Sequence, residues 1–248
     1  MDNIIISCFF GRGAGVIQNA HSKIPSYFFS NNSILEPICR EKGWQFKYVS
    51  NYELIDDYRI SSEQSKYIKF LQFLDDFEEF KHYKNSTDKN ITYIDHKLIP
   101  SDRLLDRVLN LADHSKSLLI RQHICKDKTS LSPEIRDALL QPRYAYSMNK
   151  TLEWISKYNP ACDIHDPIRI ENTGLIYYMN IKSCMDLLTE VHKAVVDLNQ
   201  PECQILWAVI SNKFRDIIQS IPVEKLLWEP IGDKDRCRYW PHIKEVLC

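Results

Sequence analysis

The sequence predicts an α/β fold in which helices flank a mostly parallel β-sheet. Short apolar runs, rich in β-branched and aromatic residues, alternate along the chain with longer segments whose apolar residues have helical spacing. This alternation is typical of strand–helix–strand units, which place parallel strands in one sheet. No internal repeat, low-complexity tract or evident linker divides the 248 residues. We therefore expect a single domain over residues 1–248.

The first half of the chain contains three predicted strands and two predicted helices. Residues 3–10 (NIIISCFF) form an apolar β-rich run, and 25–32 (PSYFFSNN) form a second run that ends in a turn signal. A short helix is predicted over 34–43, where it ends at a glycine, and 44–50 alternate as a half-buried strand does. From 61 to 80 the apolar spacing predicts one long helix.

The second half continues the alternation. A strand over 91–97 is followed by a helix that a Ser-Asp pair begins, and proline interrupts the longest helical segment at Pro142. The further strands predicted here are 116–123 and 174–180, and the helices are 101–112, 132–158, 183–198 and 202–214.

Composition narrows the class of protein. The chain is 44% apolar and 26% charged with a net charge of −1, so nothing in the total indicates a nucleic-acid partner. Eight cysteines form no C-x-x-C pair, which favours buried free thiols in a reducing compartment over disulfides or a zinc site. No basic-then-apolar leader and no apolar run of about 18 residues occurs, so we expect a cytoplasmic protein.

Unusual residues follow four of the predicted strands, in the segments FFGRG, FSNN, YIDHK and IRQH. Ligands of open α/β sheets bind beyond the carboxyl ends of the strands. We therefore expect the functional site at this edge of the sheet.

The glycine cluster GRGAG holds three of the six glycines of the chain and matches neither the dinucleotide nor the Walker spacing. It is either a plain connector or a loop whose backbone approaches a nucleotide closely, with Arg12 offering its charge to the phosphates. Asn31 and Asn32 form either a turn or a pair of amides that binds the base or the ribose.

Lys66 and Lys69 lie one helical turn apart on one face of a predicted helix. A solvated helix face explains this spacing. Beside a diphosphate, Ser65 and Lys66 would instead contact the phosphate oxygens.

The segment Asp95-His96-Lys97 ends an otherwise apolar strand. It is either a strand that has reached solvent or a site where a carboxylate meets a metal ion and a diphosphate. Mn²⁺ or Mg²⁺ bound to a nucleotide takes carboxylate and phosphate oxygens, and Mn²⁺ also accepts an imidazole. Asp95 and His96 could both be ligands only if the chain turns there, because neighbouring strand residues point to opposite faces. Lys97 could instead replace the charge of a metal.

Two further segments offer candidates for acid–base chemistry. Arg121 and His123 share one face of a predicted strand, although a structural histidine would look the same. Glu202 lies at the start of a helix, where an acid favours the helix dipole and could also serve as a general base.

Taken in order, IPSYFFSNN, GWQFKYVS, SKYIKF, ITYIDHK, LLIRQH and a late ECQ resemble the nucleotide-sugar-dependent glycosyltransferases of the GT-A fold. They are most similar to the bacterial glycosyltransferase-like proteins of surface-polysaccharide biosynthesis. The resemblance extends from about Asn3 to Phe214. It implies a Rossmann-like, mixed, mostly parallel nucleotide-binding sheet.

The resemblance also implies roles for individual residues. The nucleoside would lie against Phe10, Gly11, Arg12, Asn31 and Asn32, and the diphosphate would face Ser65 and Lys66. The metal-binding Asp-x-Asp of the family corresponds to Asp95-His96-Lys97, whose second acid is absent, so Asp95 and His96 are the candidate ligands of Mn²⁺ or Mg²⁺. A late catalytic carboxylate corresponds to Cys203, which leaves Glu202 as the adjacent acid.

The resemblance implies a hexosyltransferase-type enzyme. It would move a sugar from a nucleotide-diphosphate donor to a glycan or lipid-linked glycan of lipopolysaccharide, O-antigen or capsule. Asp95 is expected to stabilise the leaving group, and Glu202 or His123 to act as the base. The departures at Lys97 and Cys203 keep open a catalytically inactive binding or assembly protein, and a nucleotidyltransferase is a more distant alternative.

The aromatic and basic tail at about 229–248 suits a membrane interface, so we expect either peripheral contact with the inner face of the membrane or a strap packed on the domain.

Overall fold

The computed structural model describes residues 3–13, 16–123 and 129–226. Its centre is a seven-stranded sheet of order β3-β2-β1-β4-β6-β5-β7. The strands are β1 Asn3–Cys8, β2 Ser26–Ser30, β3 Gln45–Tyr48, β4 Asn90–Ile94, β5 Leu118–Gln122, β6 Glu171–Tyr178 and β7 Ile218–Ile221. Strand β6 is antiparallel to both of its neighbours, and the other described strands run in one direction. The mixed, mostly parallel sheet expected from the sequence is confirmed.

Nine helices and several 3₁₀ turns connect the described strands. The helices are α1 Glu36–Glu41, α2 Tyr58–Lys69, α3 Lys81–Lys84, α4 Asp102–Leu111, α5 Leu131–Leu139, α6 Pro142–Ala145, α7 Met148–Tyr158, α8 Ile181–Leu198 and α9 Cys203–Ser211. The 3₁₀ turns are Ser33–Leu35, Gln72–Asp75, Glu78–Phe80 and Asn212–Ile217.

Helices cover both faces of the sheet. Alternate residues of each central strand point to opposite faces and belong to different apolar clusters. One cluster joins one face of the sheet to α2, α8 and α9, and a second joins the opposite face to α1 and α4. Helix α9 also packs against α5 and α7 in a third cluster. Its side chains are buried on nearly all sides, which explains why this segment carries so few polar residues.

The helix predicted over 61–80 is wrong in its second half. Helix α2 ends at Lys69, and Leu71 has a left-handed backbone with φ of 56°. The chain beyond it breaks into 3₁₀ turns whose aromatic rings pack on one another and on Phe29 of β2. The sequence analysis also missed β7, a four-residue strand with two polar residues at its centre.

The described cysteines, Cys8, Cys39, Cys162, Cys184 and Cys203, are all free, and four of them are buried. In the ranges that the structure covers, no helix has both the length and the apolarity needed to cross a membrane. The predicted tail at about 229–248 lies outside the described residues.

Candidate functional site

A cleft of about 320 Å³ opens at the carboxyl edge of the sheet. Its floor comes from the ends of β1 and β4, one wall from α2, and the facing wall from the first residues of β6. The N-terminus of α9 and the α6 segment form its rim. The cleft lies where the strand order predicts a ligand site.

Helix α2 turns its serine and lysine face into the cleft. The residues are Ser61, Ser62, Ser65, Lys66 and Lys69, which recur at helical spacing. Lys66 and Lys69 are only 6% and 5% exposed, so this is not the solvated helix face that was one interpretation of their spacing.

The two lysines have different partners. The Lys66 ammonium donates to the Ser62 carbonyl at 2.9 Å, the Ser65 hydroxyl at 3.2 Å and the Ser62 hydroxyl at 3.4 Å. Burial lowers the pKa of Lys66, because removing the ammonium from water disfavours its charged form. Lys69 lies 3.2 Å from Asp95 Oδ1 and 3.4 Å from Thr173 Oγ1. Burial also opposes the charge of Lys69, but the charge and hydrogen bond of Asp95, together with the nearby Cys203 and Cys8, outweigh it and raise the pKa of Lys69.

Asp95 is the acid on the cleft floor. The Tyr93 hydroxyl, two residues earlier and on the same side of the chain, donates to Asp95 Oδ1 at 2.7 Å. Burial opposes ionisation of Asp95, but Lys69 and this hydrogen bond lower its pKa below the ordinary value. The Asp95 side chain is still 42% exposed, so water in the cleft reaches it. Asp95 is therefore a carboxylate at neutral pH and is paired with a buried cation.

Hydrogen bonds connect Lys69 further, to residues of β6 and α9. The Lys69 ammonium donates to Thr173 Oγ1, which also lies 3.3 Å from Cys203 Sγ in a hydrogen bond that either group can donate. Side chains from β4, α2, β6 and α9 are thus joined across the base of the cleft. Gly174 lies beside them, and a Cβ there would approach Asp95 Oδ2 to 3.1 Å.

Glu202 is the second acid of the cleft. It caps α9, accepting from the Gln204 backbone amide at 3.0 Å, while the Gln204 side chain donates to Glu134 at 2.9 Å. Burial and the nearby charge of Glu134 raise the pKa of Glu202 to about 7. A carboxyl group with this pKa is suited to general base catalysis near neutral pH.

Asp95, a candidate ligand of the predicted divalent cation, already has a cationic partner. The carboxylate oxygen Oδ1 already contacts the Lys69 ammonium and the Tyr93 hydroxyl, and a metal ion beside it would meet the positive charge of Lys69. Burial lowers the pKa of His96 to about 4, so its imidazole is neutral, and its ring packs edge-on against Phe9. Among the described side chains, no group of three or more His, Cys, Asp or Glu residues is placed to hold a metal. Mn²⁺ or Mg²⁺ at Asp95 and His96 stays a prediction.

Asn31 and Asn32 support the loop after β1. Asn31 Oδ1 accepts from the Gly11 backbone amide at 3.0 Å, and Asn32 Nδ2 donates to the Gly11 carbonyl at 3.2 Å. Both asparagines are nearly fully buried. Gly11 has a φ of 94°, and a Cβ there would lie 2.4 Å from Ser61 Oγ, so only glycine fits beside α2. These amides position the loop that carries Phe10 into the cleft.

The structure brings together some predicted residues and separates others. Phe10, Ser65, Lys66, Asp95, His96 and Glu202 all line the cleft. His123 and the exposed Arg12 are not among the residues that line it. His123 lies one residue beyond the end of β5, and its backbone amide donates to the Ile170 carbonyl at 2.9 Å.

Sequence reasoning assigned no site role to Lys69, Tyr93, Thr173 or Gln204, which the structure places at the cleft. Of these four residues, only Lys69 has a sequence feature that could have indicated a site role, namely its spacing of one helical turn from Lys66. Tyr93 and Thr173 have the pattern of ordinary strand residues, and their contacts arise from packing between distant segments.

No protein-family model matches the sequence, and no curated protein matches it. Solved structures with a similar fold include mouse xyloside xylosyltransferase 1 in its apo form, which is 10% identical, with 90% of this chain and 86% of that chain covered and a TM-score of 0.46. A glycosyltransferase involved in glycosylation of the major capsid of PBCV-1 is 12% identical, with 89% and 80% covered and a TM-score of 0.41.

The 4-diphosphocytidyl-2C-methyl-D-erythritol synthase of Anaerococcus prevotii is 9% identical, with 94% of this chain and 93% of that chain covered and a TM-score of 0.43. Since all three TM-scores are below 0.5, we base the function of the cleft on its own side chains.

Proposed function

We propose that this protein is a nucleotide-sugar-dependent glycosyltransferase of the hexosyltransferase type. Its donor is a sugar linked to a nucleoside diphosphate, and its acceptor is a glycan or lipid-linked glycan of a bacterial surface polysaccharide. The observation that carries the proposal is the combination of two buried lysines, Lys66 and Lys69, with a Glu202 of raised pKa in one cleft. The two lysine ammonium groups suit binding of a diphosphate, and the raised pKa of Glu202 suits activation of a hydroxyl group.

The charge of the cleft supports this substrate class. Its lining includes four cationic side chains, Lys66, Lys69, Lys97 and Arg143, against the two acids Asp95 and Glu202. A concave surface with this balance attracts anions. A nucleotide sugar brings the two phosphates that would contact the cationic wall.

In the proposed reaction, an acceptor hydroxyl oxygen attacks the anomeric carbon of the donor sugar, and the bond from that carbon to the phosphate oxygen breaks. Glu202 takes the hydroxyl proton. The nucleoside diphosphate departs with the bonding electrons, and the lysine ammonium groups stabilise its developing negative charge. Atoms and charge balance without any further reactant.

The test is release of nucleoside diphosphate from a panel of UDP-, GDP-, dTDP- and ADP-linked sugars, with water as the acceptor. We expect turnover of at least one donor by the wild type and by a control, Lys182→Met, whose side chain is exposed on α8. Glu202→Gln should release the product about 100-fold more slowly, because it loses the base. Absence of both release and binding for every donor would contradict the proposal.

A catalytically inactive, donor-binding protein is the second candidate. Cys203, where the resemblance implies a catalytic acid, has its thiol in contact with the Thr173 hydroxyl at the cleft base. Donor binding without any sugar release, by both the wild type and Glu202→Gln, would favour this candidate over the enzyme.

A further inference from the structure

The cleft contains more buried positive charge than its contacts neutralise. Every hydrogen bond that we describe for the Lys66 ammonium goes to an uncharged oxygen of Ser62 or Ser65, although the side chain is almost fully buried. Burying an ammonium without an opposing charge is costly, even when its protons are hydrogen-bonded. An anion next to Lys66 would remove that cost.

The contacts of Asp95 show which charge it balances. Its Oδ1 atom lies 3.2 Å from the Lys69 ammonium and also accepts from Tyr93, and Lys69 in turn donates to Thr173. These contacts fix the ammonium of Lys69 beside the one floor carboxylate, at the place where the resemblance implies a metal ion. A side chain with one positive charge therefore lies beside Asp95, where the resemblance implies a divalent cation.

We propose that the cleft binds the diphosphate of its donor without a divalent cation, through Lys66 and Lys69, and that Asp95 acts as a positioning residue for Lys69. This inference rests on the proposed function, because the ligand is the diphosphate of the nucleotide sugar. Lys66 contacts the phosphate oxygens directly. Lys69 faces the same group from one helical turn away and is held there by Asp95 and Thr173.

The first measurement is calorimetric titration with UDP, GDP, dTDP and ADP, once in EDTA and once in MnCl₂. We expect at least one nucleotide to bind in EDTA, with an affinity within about threefold of that in Mn²⁺. Lys66→Met should weaken binding about tenfold or more, whereas Lys66→Arg should keep most of the affinity, since it retains a charged donor. The exposed control Lys182→Met should bind as the wild type does.

Asp95→Asn separates a positioning residue from a metal ligand. If Asp95 positions Lys69, Asp95→Asn weakens diphosphate binding by the same factor in EDTA and in MnCl₂, because Lys69 is no longer held beside the phosphates. If Asp95 binds a metal, the same substitution abolishes a gain in affinity that depends on Mn²⁺. An Asp95→Asn variant with a lower melting temperature and wild-type affinity in both buffers would show a merely structural role and would overturn the positioning role.

Two failures are distinguishable. Binding that requires Mn²⁺ in the wild type overturns this inference and leaves the proposed function standing. Absence of binding for any nucleoside diphosphate, in either buffer, overturns the proposed function and the inference with it. The comparison between the two buffers uses only the wild type, so it remains decisive even where a lysine variant does not fold.

Discussion

The ammonium of Lys69 lies 3.2 Å from the carboxylate of Asp95 and joins the last turn of α2 to the end of β4. Lys69 is almost fully buried, whereas Asp95 is 42% exposed to the cleft. One partner is thus desolvated and the other is partly hydrated. The pair belongs both to the packing of the fold and to the chemistry of the site.

A double-mutant cycle with Lys69→Met and Asp95→Asn should give a coupling energy of about 1–2 kcal/mol in the free energy of unfolding. The value is modest because water in the cleft screens the Asp95 carboxylate. Urea denaturation of the four proteins measures it. Strictly additive effects of the two substitutions would mean that the ion pair contributes nothing to folding.

Donor hydrolysis should rise with pH through about 7 and level off above it, since Glu202 must be deprotonated to act as the base and its pKa is raised to about 7. The negative charge of Glu134 contributes to the raised pKa of Glu202. Glu134→Gln should therefore move the pH profile of hydrolysis to lower pH. The matched control Glu153→Gln, on an exposed position of α7, should leave the profile in place. A profile that Glu134→Gln does not shift would rule out this coupling.

Gly11→Ala should destabilise the protein by roughly 1–3 kcal/mol, because Gly11 has a left-handed backbone and the added Cβ would lie 2.4 Å from Ser61 Oγ. Gly13→Ala is the matched control in the same loop. Its Cβ would lie 3.2 Å from the Phe9 ring, and its backbone is not in the left-handed region. Thermal melting compares the two. Equal losses would show that neither the backbone of Gly11 nor its approach to α2 matters.

The buried carboxylate of Glu171 should be important for stability. It accepts from Trp207 Nε1 at 2.6 Å, from Arg169 Nε at 2.7 Å and from Arg215 Nη1 at 3.2 Å, and it is fully buried at the start of β6. Glu171→Ala should cost about 3–5 kcal/mol, since it leaves the buried Trp207 indole N–H without its acceptor and removes the carboxylate from two partly buried guanidinium groups. Guanidinium denaturation followed by tryptophan fluorescence measures the loss. An effect below about 0.5 kcal/mol, as expected for an exposed control such as Glu153→Ala, would contradict this role.

The order of strands and helices was largely predictable from the sequence. The spacing of apolar residues in a long segment indicates whether it forms a helix or a strand and which of its faces is buried. The boundary of α2 was not, since the apolar spacing continues past Lys69 while the backbone reverses at Leu71. The cause is the packing of aromatic rings against β2, a contact between distant segments. Strand β7 was missed because two of its four residues are polar.

At the site, sequence reasoning selected residues at strand ends and missed the side chains that link them. Lys66, Asp95 and Glu202 were candidates because of their position at the ends of predicted elements. The contacts of Lys69 with Asp95 and Thr173 could not be predicted, since they join segments up to 104 residues apart. These contacts pair Asp95 with an ammonium group, and they are the basis of our proposal that it positions Lys69.

The most direct test of the central claim is a crystal structure of the chain with the nucleoside diphosphate of an active donor bound. The account predicts phosphate oxygens at about 2.7–2.9 Å from Lys66 Nζ, within the cleft at the carboxyl edge of the sheet. A diphosphate bound elsewhere, without contact to helix α2, would contradict it.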